Sequence, residues 1–127
     1  MKKAALLILI FAIGLCSCSE DEVEPLQVCD TQNVLVDLPW LADLIEEQEQ
    51  FTIGQNYSFI STGKLNQSRV FILQNCCPLC LSSYPVYDCS GAVLGVIGSE
   101  GIEFEKIENY EVIWKSSKNS CSFSNDI

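Results

Sequence analysis

Three cysteines fall within five residues in Asn75-Cys76-Cys77-Pro78-Leu79-Cys80. Sulfur at that density supports three chemistries. The first is a thiol–disulfide redox centre at Cys77 and Cys80, a C-x-x-C with proline inside it. Such a centre needs its first cysteine at a helix N-terminus, where the dipole stabilises the thiolate. The following residues, Leu81-Ser82-Ser83-Tyr84, run into Pro85 and make a poor helix. The second is a metal site with Cys76, Cys77, Cys80 and Cys89 as four thiolates. Structural zinc usually takes two separated C-x-x-C knuckles, and only one is present. The third is structural disulfides, which an exported chain forms in an oxidising compartment. The sequence favours the third.

The N-terminus supplies the compartment. Lys2 and Lys3 precede an apolar run from Ala4 to Leu15. A bilayer span needs roughly 20 apolar residues, so the run has the dimensions of a signal-peptide core. Leu15-Cys16-Ser17-Cys18 resembles a bacterial lipobox, with an aliphatic residue at −3 and a small one before the cysteine that receives lipid. The resemblance implies a diacylglyceryl anchor on Cys18. Counting agrees with that choice. Of eight cysteines, Cys16 leaves with the signal and Cys18 is lipidated, so six remain to pair. Ser19-Glu20-Asp21-Glu22 then resembles the export signal of surface lipoproteins in Bacteroidota, which implies the outer face of the outer membrane.

These boundaries divide the chain into a signal peptide (1–17), an acidic tether (18–28) and one domain (29–127). The mature chain keeps five basic residues against 17 acidic ones, a net of −12. That surface repels phosphate, so nucleic acid is excluded as a partner. The chain has no histidine, which removes histidine-based nucleophilic catalysis and histidine metal ligation together. The expectations are no catalytic residues, no metal and no cofactor.

The elements that must position the cysteines are legible in part. Val36–Phe51 reads as one helix with Asp37 as N-cap and Pro39 in its first turn. Trp40, Leu41, Leu44 and Ile45 form its apolar stripe. Asn56–Lys64 and Ser68–Cys76 read as two strands. In the second, Val70, Ile72 and Gln74 share one face and Phe71, Leu73 and Asn75 the other. It is apolar on both faces, which predicts a central strand. Tyr84–Gly98 reads as a second hairpin turning at Ser90-Gly91 with Asp88 holding the turn. Tyr110–Ser116 reads as a last strand. Between them, Ser99–Glu111 fits either a strand or an irregular loop. The acidic residues Glu100, Glu103, Glu105, Glu108 and Glu111 read as a solvated face. Trp40 and Trp114 read as core residues. The predicted fold is α+β: one helix on a four- to five-stranded antiparallel meander sheet, stapled by disulfides.

"LPWLADLIEE", "VFILQNCC", "PVYDCSGAVLG" and "EVIWK", in this order, resemble the pattern of small uncharacterised lipoproteins of Bacteroidota over Leu38–Lys115. Members typically carry a GG-x-x-G segment and an aspartate after the double cysteine. This chain has Gly98-Ser99-Glu100-Gly101 and Pro78 instead. The family brings no established activity.

Cys29, Cys76, Cys77, Cys80, Cys89 and Cys121 allow 15 connectivities. Adjacent strand residues point to opposite faces, so Cys76 and Cys77 should take different partners. The expected pairing is Cys29 with Cys76 or Cys77, Cys80 with Cys89, and the remaining cysteine with Cys121. On that scheme Cys77 and Cys80 belong to different bridges and their spacing is coincidental. The expected function is a surface-tethered, non-enzymatic binding or structural module. Its contacts would be the membrane, through the lipid on Cys18, and an extracellular protein or glycan. The alternatives are a disulfide-bonded inhibitor of a hydrolase and a thiol–disulfide oxidoreductase using Cys77 and Cys80.

Overall fold

A computed structural model describes residues 29–123 apart from Asp30, Gln32 and Glu100. The expected signal peptide, the expected lipidation site Cys18, the expected tether and Glu100 lie outside the described residues. Three short helices precede five strands: α1 Val34–Asp37, α2 Pro39–Glu49 and α3 Thr52–Tyr57, then β1 Ser58–Leu65, β2 Ser68–Asn75, β3 Pro85–Tyr87, β4 Val93–Val96 and β5 Glu108–Lys115. The strands form one antiparallel sheet in the order β4-β3-β2-β1-β5.

The expected single helix is three, and local stereochemistry says where it breaks. A residue before proline is pushed out of the α region. Leu38, ahead of Pro39, is extended at φ −107° and ψ 98°. Asp37 therefore ends α1 rather than capping α2, and Pro39 occupies the first turn of α2. The second break falls at Phe51, again extended, with φ −115° and ψ 140°. The apolar stripe survives. Leu41 is fully buried, and Trp40, Leu44 and Ile45 pack around it.

β2 is the middle strand of the five. Its register opposes Phe71 to Thr62 of β1 and Tyr87 of β3, and Ile72 to Ser61 and Val86. Phe71 joins Ile60, Val34, Leu38 and Leu41 in a core under the helices. Val70, Ile72 and Val86 join Ile102 and Ile107 in a second core on the opposite face. Burying a side chain the size of Phe71 or Leu41 contributes about 1.5–3 kcal/mol.

β1 to β4 form the expected meander. β5 does not extend it. The chain crosses the sheet after β4 and pairs β5 with β1 at the far edge. This crossover resolves the uncertain stretch before the last strand as irregular, with a 3-10 turn at Phe104–Lys106. Its job is to cover the second face. Ile107 packs so closely over Gly63 that a Cβ there would clash with its side chain. Glu103, Glu105, Glu108 and Glu111 stay exposed, as a solvated face should.

The β1–β2 hairpin closes in two residues, Asn66 and Gln67, with φ of 49° and 68°. Positive φ at both positions is the pattern of a type I′ turn, whose twist matches the strands. Glutamine carries a Cβ penalty there that glycine does not. Gln67→Gly should therefore raise stability by about 0.5–1 kcal/mol, measured as a higher urea midpoint with an unchanged slope.

Candidate functional site

All six expected cysteines pair, and adjacent Cys76 and Cys77 do take different partners. The partners differ from expectation. The bridges are Cys29–Cys89, Cys76–Cys121 and Cys77–Cys80, with Cα separations of 5.3, 5.7 and 5.4 Å. Cys80–Cys89 and a bridge from Cys29 to Cys76 or Cys77 are overturned by the sheet register. β3 runs antiparallel to β2, with Val86 opposite Ile72 and Tyr87 opposite Phe71. Continuing that return carries Cys89 towards Arg69, while Cys80 stays by Asn75. Six residue steps along the strand separate those poles by ~20 Å, and a disulfide spans 4.4–6.8 Å between Cα atoms. Cys29 sits at the Arg69 pole, where Arg69 Nη1–H donates to its carbonyl at 2.8 Å. Trp40 Nε1–H donates to the Cys89 carbonyl at 3.0 Å, and its ring meets Phe71 edge-on at 5.5 Å.

Cys121 reaches Cys76 because the tail after β5 is laid down beside the start of β1. Ser116 N–H donates to the Ser58 carbonyl and Ser120 N–H to that of Asn56. Glu49 of α2 accepts from Ser117 N–H at 2.7 Å and Ser117 Oγ–H at 2.6 Å. On the other side Cys76 N–H donates to the Tyr57 carbonyl. Both cysteines are thus drawn to one end of β1.

The Cys77–Cys80 bridge, which the sequence reading argued against, closes a loop of four residues beyond the end of β2. Asn75 organises it. Its Oδ1 accepts from Cys77 N–H at 3.2 Å and from Ser82 Oγ–H at 2.8 Å. Its carbonyl accepts from Tyr84 Oη–H at 3.1 Å. Cys77 follows a strand and enters a turn, and residues 76–84 contain no helix. Cys77 therefore does not open a helix, as the redox reading requires. With all six sulfurs bridged, no thiolate set remains for a metal, and no three metal-ligating side chains converge among the described residues.

Leu79 of this loop and Leu81 just after it project fully into solvent. Leu79 is 96% exposed and Leu81 107%, whereas the next most exposed large apolar side chain, Val36, reaches 70%. They lie within an 18-residue stretch, Val70–Tyr87, that holds no charged residue in a chain of net charge −10. Sequence reasoning concentrated on the cysteines and passed over Asn75, Leu79 and Leu81. The absence of charge around two leucines beside a cysteine was the available signal.

The remaining expected positions are placed as structural. Asp88 accepts from Ser90 N–H (2.8 Å), Ser90 Oγ–H (2.6 Å) and Ala92 N–H (3.0 Å). The Ser90 side-chain bond, with backbone donors helping against some desolvation, lowers its pKa below the ordinary carboxylate range. Gly91 completes that turn at φ +85°, with the Trp40 ring against its Cα; a Cβ would meet the ring at 2.7 Å. Trp114 packs on the helix-side core. Gly98 and Gly101 border a tight turn in which Gly98 N–H donates to the Ile102 carbonyl at 2.8 Å, with open space beside both.

Comparison with protein-family models, curated proteins and solved structures finds no match for this chain.

Two outcomes follow from this geometry. The bridges should differ in worth, because loop closure grows with the residues enclosed. Replacing both cysteines of Cys29–Cys89 (separation 60) or Cys76–Cys121 (separation 45) should cost about 4 kcal/mol, and of Cys77–Cys80 (separation 3) about 2 kcal/mol, read from urea unfolding. Asp88 has a lowered native pKa, so its contribution is present above the unfolded value near 3.9 and is lost as pH falls through the native value. Asp88→Asn should flatten the acid limb of the stability–pH curve below about pH 4 and leave its shape above pH 6 unchanged.

Proposed function

We propose that this protein is a surface-anchored, non-enzymatic lipoprotein whose folded domain is a binding module presenting the Cys77–Ser82 loop to an extracellular protein. The anchor is the lipid on Cys18, in the outer membrane, with the domain on the cell exterior. The lipobox resemblance and the acidic stretch after it support this address, as does the complete pairing of the six cysteines in disulfides. No helix among the described residues is long and apolar enough to cross a membrane.

The observation that carries the binding role is the exposure of Leu79 inside a covalently closed loop, and of Leu81 directly after it, in a stretch free of charge. Interface centres are depleted of charge and enriched in apolar anchors. Holding such a loop in one conformation before contact reduces the entropy lost on binding. Its place in the domain suits presentation. The tether enters at Cys29, at the Arg69 pole, and the loop follows Asn75 at the other pole, ~20 Å away along β2.

Two measurements check the reading. Labelled palmitate should enter the wild-type chain and not Cys18→Ser, and surface protease on intact cells should remove the wild-type domain. A photo-crosslinking side chain at position 79 should capture a partner of defined mass, and Leu81→Asp should reduce that capture at least tenfold while Val36→Asp leaves it unchanged. Labelling of Cys18→Ser, or capture indifferent to Leu81→Asp, refutes the proposal.

A further inference from the structure

We propose that the Leu81–Ser82 segment is an inhibitory loop for a serine endopeptidase whose primary specificity pocket takes a large apolar side chain. The inference rests on the reading of this loop as the binding surface and names its partner class. Endopeptidases grip a substrate by inserting the side chain before the scissile bond into a pocket and by pairing with its main chain. Leu81 is wholly exposed. The N–H and C=O groups of residues 81–83 have no hydrogen-bond partner among the described residues, so they are free to pair with an enzyme.

What separates an inhibitor from a substrate is how firmly the chain is held on each side of that bond. Before it, Cys80 is bridged to Cys77. After it, Ser82 Oγ–H is bonded to Asn75 Oδ1, the same oxygen that accepts Cys77 N–H. Two residues further on, Tyr84 is tied to the Asn75 carbonyl, and its own carbonyl accepts from Ile97 N–H at 3.0 Å. Both flanks of Leu81–Ser82 are therefore fastened to one residue at the end of β2.

The chemistry then stalls in a defined way. The peptidase serine oxygen adds to the Leu81 carbonyl carbon, the bond to the Ser82 nitrogen breaks, and the proton lost by the serine hydroxyl ends on that nitrogen. In a loose substrate the new amine diffuses away and water hydrolyses the ester. Here the amine stays beside the ester, attacks it, restores the peptide bond and returns the proton to the serine. A chain cut by water at this bond also stays whole, because Cys29–Cys89 and Cys76–Cys121 both join residues before 81 to residues after 82.

The test uses the full mature lipoprotein in detergent with chymotrypsin and trypsin as probes, since the two differ in an apolar against an acidic pocket. The wild type should inhibit chymotrypsin at one-to-one stoichiometry and leave trypsin untouched. Leu81→Lys should lose at least 100-fold against chymotrypsin and gain inhibition of trypsin. Asn75→Ala should be cut between residues 81 and 82 at least tenfold faster than wild type. Disulfide mapping confirms that each variant is folded, and the exposed position of Leu81 makes Leu81→Lys safe in that respect. Chymotrypsin unaffected by a tenfold excess of protein overturns the inference, as does inhibition that Leu81→Lys fails to move. If chymotrypsin is unaffected while crosslinking at position 79 still depends on Leu81, the binding module stands and the inhibitory role falls.

Discussion

β2 cannot leave either of its faces in water. Phe71 is fully buried on one side, and Val70 and Ile72 are fully buried on the other. A strand of that kind needs two covering layers, and the fold supplies them from opposite ends of the chain. The helices, which come first, cover the Phe71 face. The crossover between β4 and β5 covers the other with Ile102 and Ile107. The return of β5 to the edge beside β1 is a consequence, because a chain that has crossed the sheet emerges at its far side. The fold is thus three layers deep at its centre, although its chain is short.

The disulfides fasten what this arrangement brings together. Cys29–Cys89 ties the entry of the helical layer to the hairpin of β3 and β4, beside the Trp40 ring. Cys76–Cys121 ties the segment after β5 to the end of β2. Both join parts far apart in sequence, which is where cross-links constrain the unfolded chain most. Cys77–Cys80 is different in kind. It encloses four residues and shapes a surface loop rather than joining layers. Its neighbours are side-chain bonds to Asn75 and two leucines in solvent, so its effect lies in what the loop presents. A small domain with cross-linked layers can carry such a loop without the apolar side chains folding back into the core.

Legibility from sequence followed the range of the interactions. The alternation of Val70, Ile72 and Gln74 with Phe71, Leu73 and Asn75 was readable because the period of a strand is local, and it correctly predicted the central strand. The Trp40–Ile45 stripe was readable for the same reason. Asp37 misled, because its N-cap chemistry is sound but Pro39 pulls Leu38 into an extended conformation and cuts the helix first. The turn at Asp88 was readable from residue types alone, since its bonds reach only to Ser90 and Ala92. The Asn75 hub was not, because beyond Cys77, two residues on, its partners Ser82 and Tyr84 become neighbours only when the chain doubles back through the four-residue ring.

By itself the sequence determined that six cysteines would pair completely, that neighbouring Cys76 and Cys77 would part company, and that the sheet would be antiparallel with the strand read as Ser68–Cys76 inside it. Those conclusions need only parity, periodicity and count, once the lipobox resemblance sets Cys16 and Cys18 aside. The tertiary structure alone decided which cysteine met which. A disulfide requires two Cα atoms within about 7 Å, and that distance depends on strand register and on the direction in which β3 returns. The register carried Cys89 to the Arg69 pole and left Cys80 beside Cys77. The same geometry turned "NCCPLC" from a strand end into a closed loop that holds Leu79 in solvent, with Leu81 exposed just beyond it.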